Sequence, residues 1–330
     1  MPALPTEIIV LVAIAVFYDF WNGLMDSANV VATMISSRAL GPRRALLMAA
    51  VAEASGPFLF GTAVARTIGA EVIAEHAITL EVVIAALIGA ILWNIFTVTF
   101  GIPSSSSHAL IGGMIGAVWV GYGLENVMIS GLSKVLIALF VSPIIGMIAG
   151  FLVMAVLRFL FAGASPRMGI VFKRGQLVTS TLLALSHGTN DAQKTMGIIT
   201  LGLVATGMID TFEVPMWVVA VSAGAIALGT LFGGWDVIRT LGTKFYKVRP
   251  IHGFSAQVAS GGVILGAALL GGPVSTTQVV SSSIIGAGSA ERVRMVRWGV
   301  FRNILLAWVL TIPAAAGVSA LAYLIIQWLE

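Results

Sequence analysis

Long, uninterrupted apolar segments constrain this chain more than any other feature. Residues 81–100, EVVIAALIGAILWNIFTVTF, contain no charged side chain after the opening glutamate. About 20 apolar residues cross the hydrocarbon core of a bilayer as an α-helix, whereas the strands of a membrane barrel alternate in polarity over about ten residues. The segment therefore predicts a transmembrane helix and excludes an outer-membrane barrel.

The composition extends this prediction to the whole chain. Hydrophobic residues make up 58% and charged residues 10% of the 330 positions, enough for about nine or ten transmembrane helices. We therefore expect an all-α membrane protein with about ten transmembrane passes, two of them short. The apolar segments lie near 7–36, 43–65, 80–100, 104–120, 132–161, 177–208, 216–238, 254–272, 274–288 and 303–328.

Charged residues predict the orientation of these passes. The basic loops are 37–44, 158–174, 239–252 and 291–302, and the acidic loops are 70–81 and 209–215. Because loops rich in Lys and Arg stay in the cytoplasm, we expect an inner (plasma) membrane protein with both termini extracytoplasmic. These loops account for the net charge of +4, and no basic tract is dense enough to bind nucleic acid, so the lipid bilayer is the expected surrounding. The absence of cysteine excludes disulfides and thiolate metal sites.

Three pairs of segments recur in the same order in the two halves of the chain. Residues 61–69 resemble 234–242, residues 103–108 resemble 273–278, and residues 23–26 resemble 188–191. The loop charges place Arg66 outside and Arg239 inside, which predicts an inverted repeat, an architecture typical of secondary transporters. We expect a first repeat at 1–162, a cytoplasmic linker at 163–176 and a second repeat at 177–330.

Polar side chains interrupt the first and sixth apolar segments. Charges at bilayer depth cost about 2.5–3.5 kcal/mol on insertion scales, so they usually mark a pathway or a site. The alternative is structural: Asp191 and Lys194 would form a buried ion pair and Asp26 a local hydrogen bond. Residues spaced i, i+4 and i+7 share one face of a helix. Asn22, Asp26 and Asn29 have this spacing in the first segment, and His187, Asp191 and Lys194 have it in the sixth.

Runs of hydroxyl residues follow a proline at matched positions of the two halves. Pro103 precedes Ser104, Ser105, Ser106, Ser107 and His108, and Pro273 is followed after Val274 by Ser275, Thr276, Thr277 and Gln278. Proline followed by Ser or Thr indicates the start of a helix. A helix N-terminus inside a membrane leaves N–H donors unsatisfied, which suits a tetrahedral oxyanion; a polar turn at the membrane surface is the alternative.

Aspartates and an oxyanion in one cavity require a cation between them, because like charges repel strongly at low dielectric. A proton, Na⁺, a divalent metal carried with the anion or Lys194 would serve. This favours cation-coupled anion symport without a resident cofactor, with Asp26 and Asp191 holding the coupling ion. Two other classes stay open: an intramembrane hydrolase that uses a serine of 104–107 with His108, and a channel.

The motifs resemble the inorganic phosphate transporter (PiT) family of secondary carriers, specifically its bacterial proton-coupled, low-affinity branch. The segments are NGLMDSANVVAT (22–33), PSSSSHA (103–109), SHGTNDAQKTMG (186–197) and PVSTTQ (273–278). The resemblance implies phosphate import by symport with H⁺ or Na⁺, in some members as a neutral metal phosphate. It also implies that two of the passes are re-entrant or half-helix hairpin elements. Asp26, Asn29, Asn190, Asp191 and the hydroxyl runs fall on the family's signature. Together with the spacing above, this predicts phosphate binding by Ser104, Ser105, Ser106, Ser107, Ser275, Thr276, Thr277, Asn29, Asn190 and Lys194, and coupling through Asp26, Asp191, Asn22, His187 and His108.

Two positions depart from the sodium-coupled members of that family. Met25 stands where they have Asn, and Lys194 stands where they often have Asn. Because a fixed ammonium group fills a cation site, we expect proton coupling here. A sodium-coupled phosphate symporter, a sulfate permease of the same fold, a metal ion at Asp26 and Asp191, and a homodimer remain alternatives.

Overall fold

The computed structural model describes residues 5–100, 104–165, 167–233, 249–293 and 298–329. Helices account for nearly all of these residues, and the only β-type pairing in the described ranges is one isolated bridge between Ile73 and Val127. The expected all-α class is therefore confirmed. The α-helices of the described residues are α1 (Thr6–Ser36), α2 (Pro42–Phe60), α3 (Ala63–Ala70), α4 (Leu80–Thr99), α5 (Ser106–Tyr122), α6 (Ile129–Leu160), α7 (Met168–Ala205), α8 (Met216–Phe232), α9 (Pro250–Leu269), α10 (Thr276–Arg292) and α11 (Trp298–Leu329).

Four helices of the described ranges are long and apolar enough to cross a membrane. They are α1, α4, α6 and the part of α11 from Leu305 to Leu329, and the bent pair α2–α3 would add a fifth span. The 38-residue α7 is longer than any of them, but polar side chains fill its middle and lower its hydropathy. The count of ten passes therefore stays a prediction.

The segment predicted as one pass over 43–65 is broken. Helix α2 ends at Phe60, Gly61 adopts φ +80°, and α3 leaves at 78° to α2. The Gln193 side chain of α7 accepts hydrogen bonds from the first N–H groups of α3, Val64 at 2.7 Å and Ala65 at 3.2 Å. A buried side chain thus satisfies a helix start that would otherwise carry free donors. The proposed repeat of this segment, 234–242 with Arg239, lies outside the described residues, as do Pro103, Arg294 and Arg297.

Helix α7 begins at Met168, within the segment 163–176 that the sequence analysis assigns to a cytoplasmic linker. Only the residues up to 167 connect α6 to α7. Arg174 and Lys173 suggested a loop, but basic residues are good helix formers and are tolerated where a helix extends beyond the membrane. The predicted linker therefore overlaps the first turns of α7, and the repeat boundaries stay a prediction.

Helices of one half pack on helices of the other. Helix α6 packs against α10 and α9, and α11 packs against α5 and α4. Helix α1 lies against α8, and α2 lies against α7. Helices α1 and α7 also contact each other, and their polar faces are buried at this central contact.

Glycines permit the closest of these contacts. A Cβ atom added at Gly229 of α8 would stand 1.9 Å from the backbone oxygen of Phe20 in α1, whereas one added at Gly224 of the same helix would meet no atom within 4 Å. Backbone of α1 cannot shift without moving the polar residues that follow Phe20. Gly229 therefore sets the distance between α8 and α1.

We expect Gly229→Ala to destabilise the protein and Gly224→Ala to leave it unchanged or slightly more stable. Overpacking a close helix contact costs about 1–3 kcal/mol, whereas Gly→Ala in an open helical position gains up to about 1 kcal/mol. Thermal unfolding of the two purified variants in the same detergent measures the difference. Equal midpoints would show that this contact is not tight.

Candidate functional site

Helices α1 and α7 cross with their polar faces together and run in opposite directions. The Asn22 amide nitrogen donates to Asp191 Oδ2 at 3.2 Å, and His187 Nε2 lies 3.9 Å from Asp26 Oδ2. Residues later in α1 therefore contact residues earlier in α7, so the two helices are antiparallel. Asp191 and Asn22 are fully buried, and Asp26 is 6% exposed. The two predicted acidic segments therefore meet inside the protein.

The start of α10 joins both aspartates. The Thr276 hydroxyl lies 3.3 Å from Asp26 Oδ2 and 3.3 Å from Asp191 Oδ2, so it can donate to either. The Thr277 hydroxyl donates to Asp26 Oδ1 at 2.7 Å. Asn29 donates to the same Asp26 oxygen at 2.7 Å and to Thr277 at 2.9 Å. Two helix starts were predicted to meet the carboxylates, and α10 does so directly.

Lys194 links this centre to the start of α5. Its ammonium group donates to Asp191 Oδ1 at 2.7 Å, to the Ser107 hydroxyl at 2.6 Å and to the Val274 carbonyl at 3.1 Å. Lys194 is fully buried. The buried ion pair that the sequence left as a structural alternative is therefore present, and it lies at the junction of α5, α7 and the segment before α10.

The other serines of 104–107 face different neighbours. Ser105 is the N-cap of α5, accepting from the His108 N–H at 3.3 Å. Ser104 bonds to Thr97 of α4 at 2.7 Å, and the Ser106 carbonyl accepts from the Tyr18 hydroxyl at 3.0 Å. In the second half Ser275 caps α10, accepting from the Gln278 N–H at 3.4 Å. Both predicted helix starts are confirmed, but in each the first hydroxyl is occupied by capping.

Asn190 positions the segment that leads into α10. Its amide nitrogen donates to the Gly272 carbonyl at 3.3 Å, and its oxygen accepts from the Val274 N–H at 3.3 Å. The amide thus bonds on both sides of Pro273. Asn190 therefore holds the backbone before α10 in place, whereas Asn29 reaches the Thr277 hydroxyl itself.

A third buried carboxylate lies beside the two aspartates, and it carried little weight in the sequence because it has no partner in the repeat. Glu53 of α2 is fully buried, bonded to His187 Nδ1 at 2.9 Å and to the Thr230 hydroxyl of α8. His187 therefore lies between Glu53 on one side and Asp191 on the other, with its Nε2 3.4 Å from Asp191 Oδ2. Helical spacing could not reveal this contact, because Glu53 approaches from a different helix.

Asp26, His187 and Asp191 form the one group of described residues that could hold a metal ion. One ligand atom from each lies within 4.8 Å of the others, and all three residues are buried. Two carboxylates and an imidazole suit a hard or borderline cation. The arrangement can therefore bind a cation between its carboxylates, and it presents hydroxyls and an ammonium group to an anion.

His108 lies in a separate polar group. Its Nδ1 is 2.8 Å from the Ser105 hydroxyl, and the Gln278 amide nitrogen lies 3.4 Å from the ring. A serine–histidine hydrogen bond is thus present, but the Gln278 amide lies 3.4 Å from both ring nitrogens, and an amide cannot stabilise an imidazolium as a carboxylate does. The geometry does not favour the hydrolase alternative.

Comparisons with known proteins show the family of this chain. The model described as "Phosphate transporter family" (PHO4) matches residues 22–167 and 161–319. A protein of Rhizobium meliloti named "Probable low-affinity inorganic phosphate transporter" is 46% identical over 315 residues, covering 95% of this chain and 94% of the relative. A Bacillus subtilis protein of the same name is 42% identical over 325 residues, with 97% of each chain covered.

A solved structure has the same fold. It is entitled "The sodium-dependent phosphate transporter", and it aligns with a TM-score of 0.89 over 99% of this chain and all of that chain, at 24% sequence identity. The family model and the two bacterial relatives identify a membrane transport protein. This chain belongs to the phosphate transporter family.

We expect Lys194→Met to destabilise the protein strongly. Removing one member of a buried ion pair leaves an uncompensated charge and typically costs about 3–5 kcal/mol. Thermal unfolding should show a large loss for Lys194→Met, and the double variant Lys194→Met/Asp191→Asn should recover part of it because the unpaired charge is gone. A double variant that is no more stable than the single one would contradict this pairing.

Proposed function

We propose that this protein is a secondary active symporter that imports inorganic phosphate together with protons across the plasma membrane. Phosphate binds between the N-termini of α5 and α10, and Asp26 and Asp191 carry the coupling charge. The observation that supports this most directly is the meeting of both helix starts at one buried centre. There Thr276 lies within 3.3 Å of Asp26 and of Asp191, and Ser107 bonds to Lys194.

The polar groups at this centre suit phosphate. Lys194 supplies a positive charge, and the first turns of α5 and α10 supply backbone N–H donors that a helix cannot satisfy internally. Phosphate can also donate hydrogen bonds, whereas sulfate at neutral pH only accepts them. A carboxylate beside the anion therefore favours phosphate over sulfate, and Asp26 and Asp191 are placed for that role.

The helix packing supports an inverted repeat. If α1, α4, α5 and α6 correspond to α7, α9, α10 and α11, two of the main contacts between the halves have counterparts: α6 on α10 matches α11 on α5, and α6 on α9 matches α11 on α4. The opposite directions of α1 and α7 at their crossing agree with opposite insertion. With the basic loops in the cytoplasm, both termini are extracytoplasmic.

Two observations keep sodium coupling as the second candidate. The similar solved structure is entitled a sodium-dependent phosphate transporter, and Asp26, His187 and Asp191 could hold a metal ion. Lys194 favours the proton because its ammonium group already bonds to Asp191 at 2.7 Å. A divalent metal that travels with phosphate as a neutral complex would occupy the same carboxylates. A homodimer stays a prediction.

Uptake of labelled phosphate into proteoliposomes tests the function. We expect an inward proton gradient to drive uptake, a sodium gradient without a proton gradient to have little effect, and excess sulfate to compete weakly. Asp191→Asn should abolish gradient-driven uptake in protein that is still inserted. Sodium-driven uptake would replace proton coupling with the second candidate, and strong competition by sulfate would identify a sulfate permease. A requirement for Mg²⁺ would identify metal phosphate as the cargo.

The two helix starts can be tested with matched hydroxyl variants. Ser107→Ala and Thr276→Ala should each raise the KM for phosphate about tenfold, because a hydrogen bond to a charged group is worth about 1.5–3 kcal/mol, and the double variant should raise it further. Ser104→Ala serves as the control, because Ser104 bonds to Thr97 instead. Equal effects of Ser104→Ala and Ser107→Ala would place phosphate elsewhere.

A further inference from the structure

A fourth buried acid lies beside the centre and takes no part in the hydrogen bonds described above. Asp19 of α1 is fully buried, and neither carboxylate oxygen has a hydrogen-bond partner among the described residues. It precedes Asn22 by three residues and Asp26 by seven, so it lies on the same helical face. Sequence spacing contained this signal, but the sequence analysis began its polar face at Asn22.

The surroundings of Asp19 contrast with those of the other aspartates. Asp26 accepts from Asn29 and Thr277, and Asp191 accepts from Lys194 and Asn22. The Thr195 hydroxyl of α7, one turn beyond Asp191, is near enough to interact with Asp19, but the two do not form a hydrogen bond of ordinary geometry in the described part of the chain. The Asn22 side-chain oxygen, one turn along α1, is unsatisfied too.

We propose that Asp19 is a further coupling carboxyl group, which takes up a co-transported proton in addition to the charge that Asp26 and Asp191 carry. An ionised carboxylate is too costly to bury without donors or a cation, so such a group is neutralised. The proton passes from extracytoplasmic water to an Asp19 oxygen and is released to the cytoplasm after phosphate has crossed. This inference rests on the proton coupling and the orientation proposed above, in which Asp19 lies on the extracytoplasmic side of Asp26.

The charges near Asp19 explain how its protonation would favour phosphate binding. Asp191, Lys194 and His187 of α7 all act on Asp19 electrostatically, and the neighbouring Tyr18 is bonded to Ser106. Glu53 of α2 is engaged with His187. Helix α8 has no ionisable residue. Glu81 of α4 lines a cavity with Glu7, near the start of α1. His252 lies at the start of α9, and Glu291 and Arg292 lie at the end of α10.

Among the described carboxylates near the centre, Asp26 and Glu53 pair with His187, and Asp191 pairs with His187 and Lys194. Protonation of Asp19 therefore removes a negative charge without breaking any of these ion pairs. Neutralising it lowers the repulsion against an incoming phosphate, and bound phosphate in turn favours the neutral acid, because such coupling is reciprocal. Asp19 also lies outside the group of residues that could hold a metal ion.

Reconstituted protein with Asp19→Asn tests the proposal. We expect Asp19→Asn to lose stimulation by an inward proton gradient while phosphate–phosphate counterflow continues, and Asp19→Glu to retain gradient-driven uptake. Isothermal calorimetry in buffers of different ionisation enthalpy should show proton uptake on phosphate binding by the wild type and its loss in Asp19→Asn. Proton-driven uptake that persists in Asp19→Asn would overturn the proposal.

Two further measurements keep the outcome decisive. If Asp19→Asn does not insert, Thr195→Val replaces it, and Thr200→Val, which also removes a buried, unsatisfied α7 hydroxyl, is its control. A shifted pH profile of uptake in Thr195→Val alone supports the proposal, and identical profiles in both variants count against it. If sodium drives phosphate uptake by the wild type and protons have no effect, the proposed proton coupling itself is wrong, whatever Asp19→Asn shows.

Discussion

Compensation of buried carboxylates at the crossing of α1 and α7 is the constraint on which the rest of the structure depends. Asp191 is fully buried and Asp26 is only 6% exposed, so each requires donors from the protein. Asp26 receives them from Asn29 on its own helix and Thr277 on α10, and Asp191 receives them from Lys194 on its own helix and Asn22 on α1. Distant segments of the chain must therefore assemble before either charge is stable.

The close helix packing follows from this requirement. Polar side chains at the centre are short, so helix backbones must approach closely for hydrogen bonds to form. Glycine makes that possible at Gly229 against Phe20 of α1, and at Gly188, where an added Cβ would lie 2.2 Å from the Glu53 carbonyl. Small residues at helix contacts serve the same purpose in membrane proteins generally. The close packing of the helices thus allows the hydrogen bonds of the site to form.

The same centre combines a stable part and an adjustable part. Lys194 with Asp191 is a closed ion pair with further bonds to Ser107 and Val274, which fixes α5, α7 and α10 relative to one another. Thr276 lies equally far from the two aspartates, and His187 lies between three carboxylates. A carrier needs groups whose partners can change as an ion enters or leaves, and these side chains meet that requirement.

The sequence by itself determined the all-α class, most helix positions, the two helix starts with their serine caps and the acidic faces of α1 and α7, because helical period and capping are local properties. It did not determine which of the four serines faces the centre, the break after Phe60 or the partners of Glu53. Ser104 and Ser107 are chemically identical, so only the approach of α4, α7 and α10 decides that Ser107 meets Lys194 while Ser104 meets Thr97. Tertiary structure made these decisions because each depends on a contact between residues far apart in the chain.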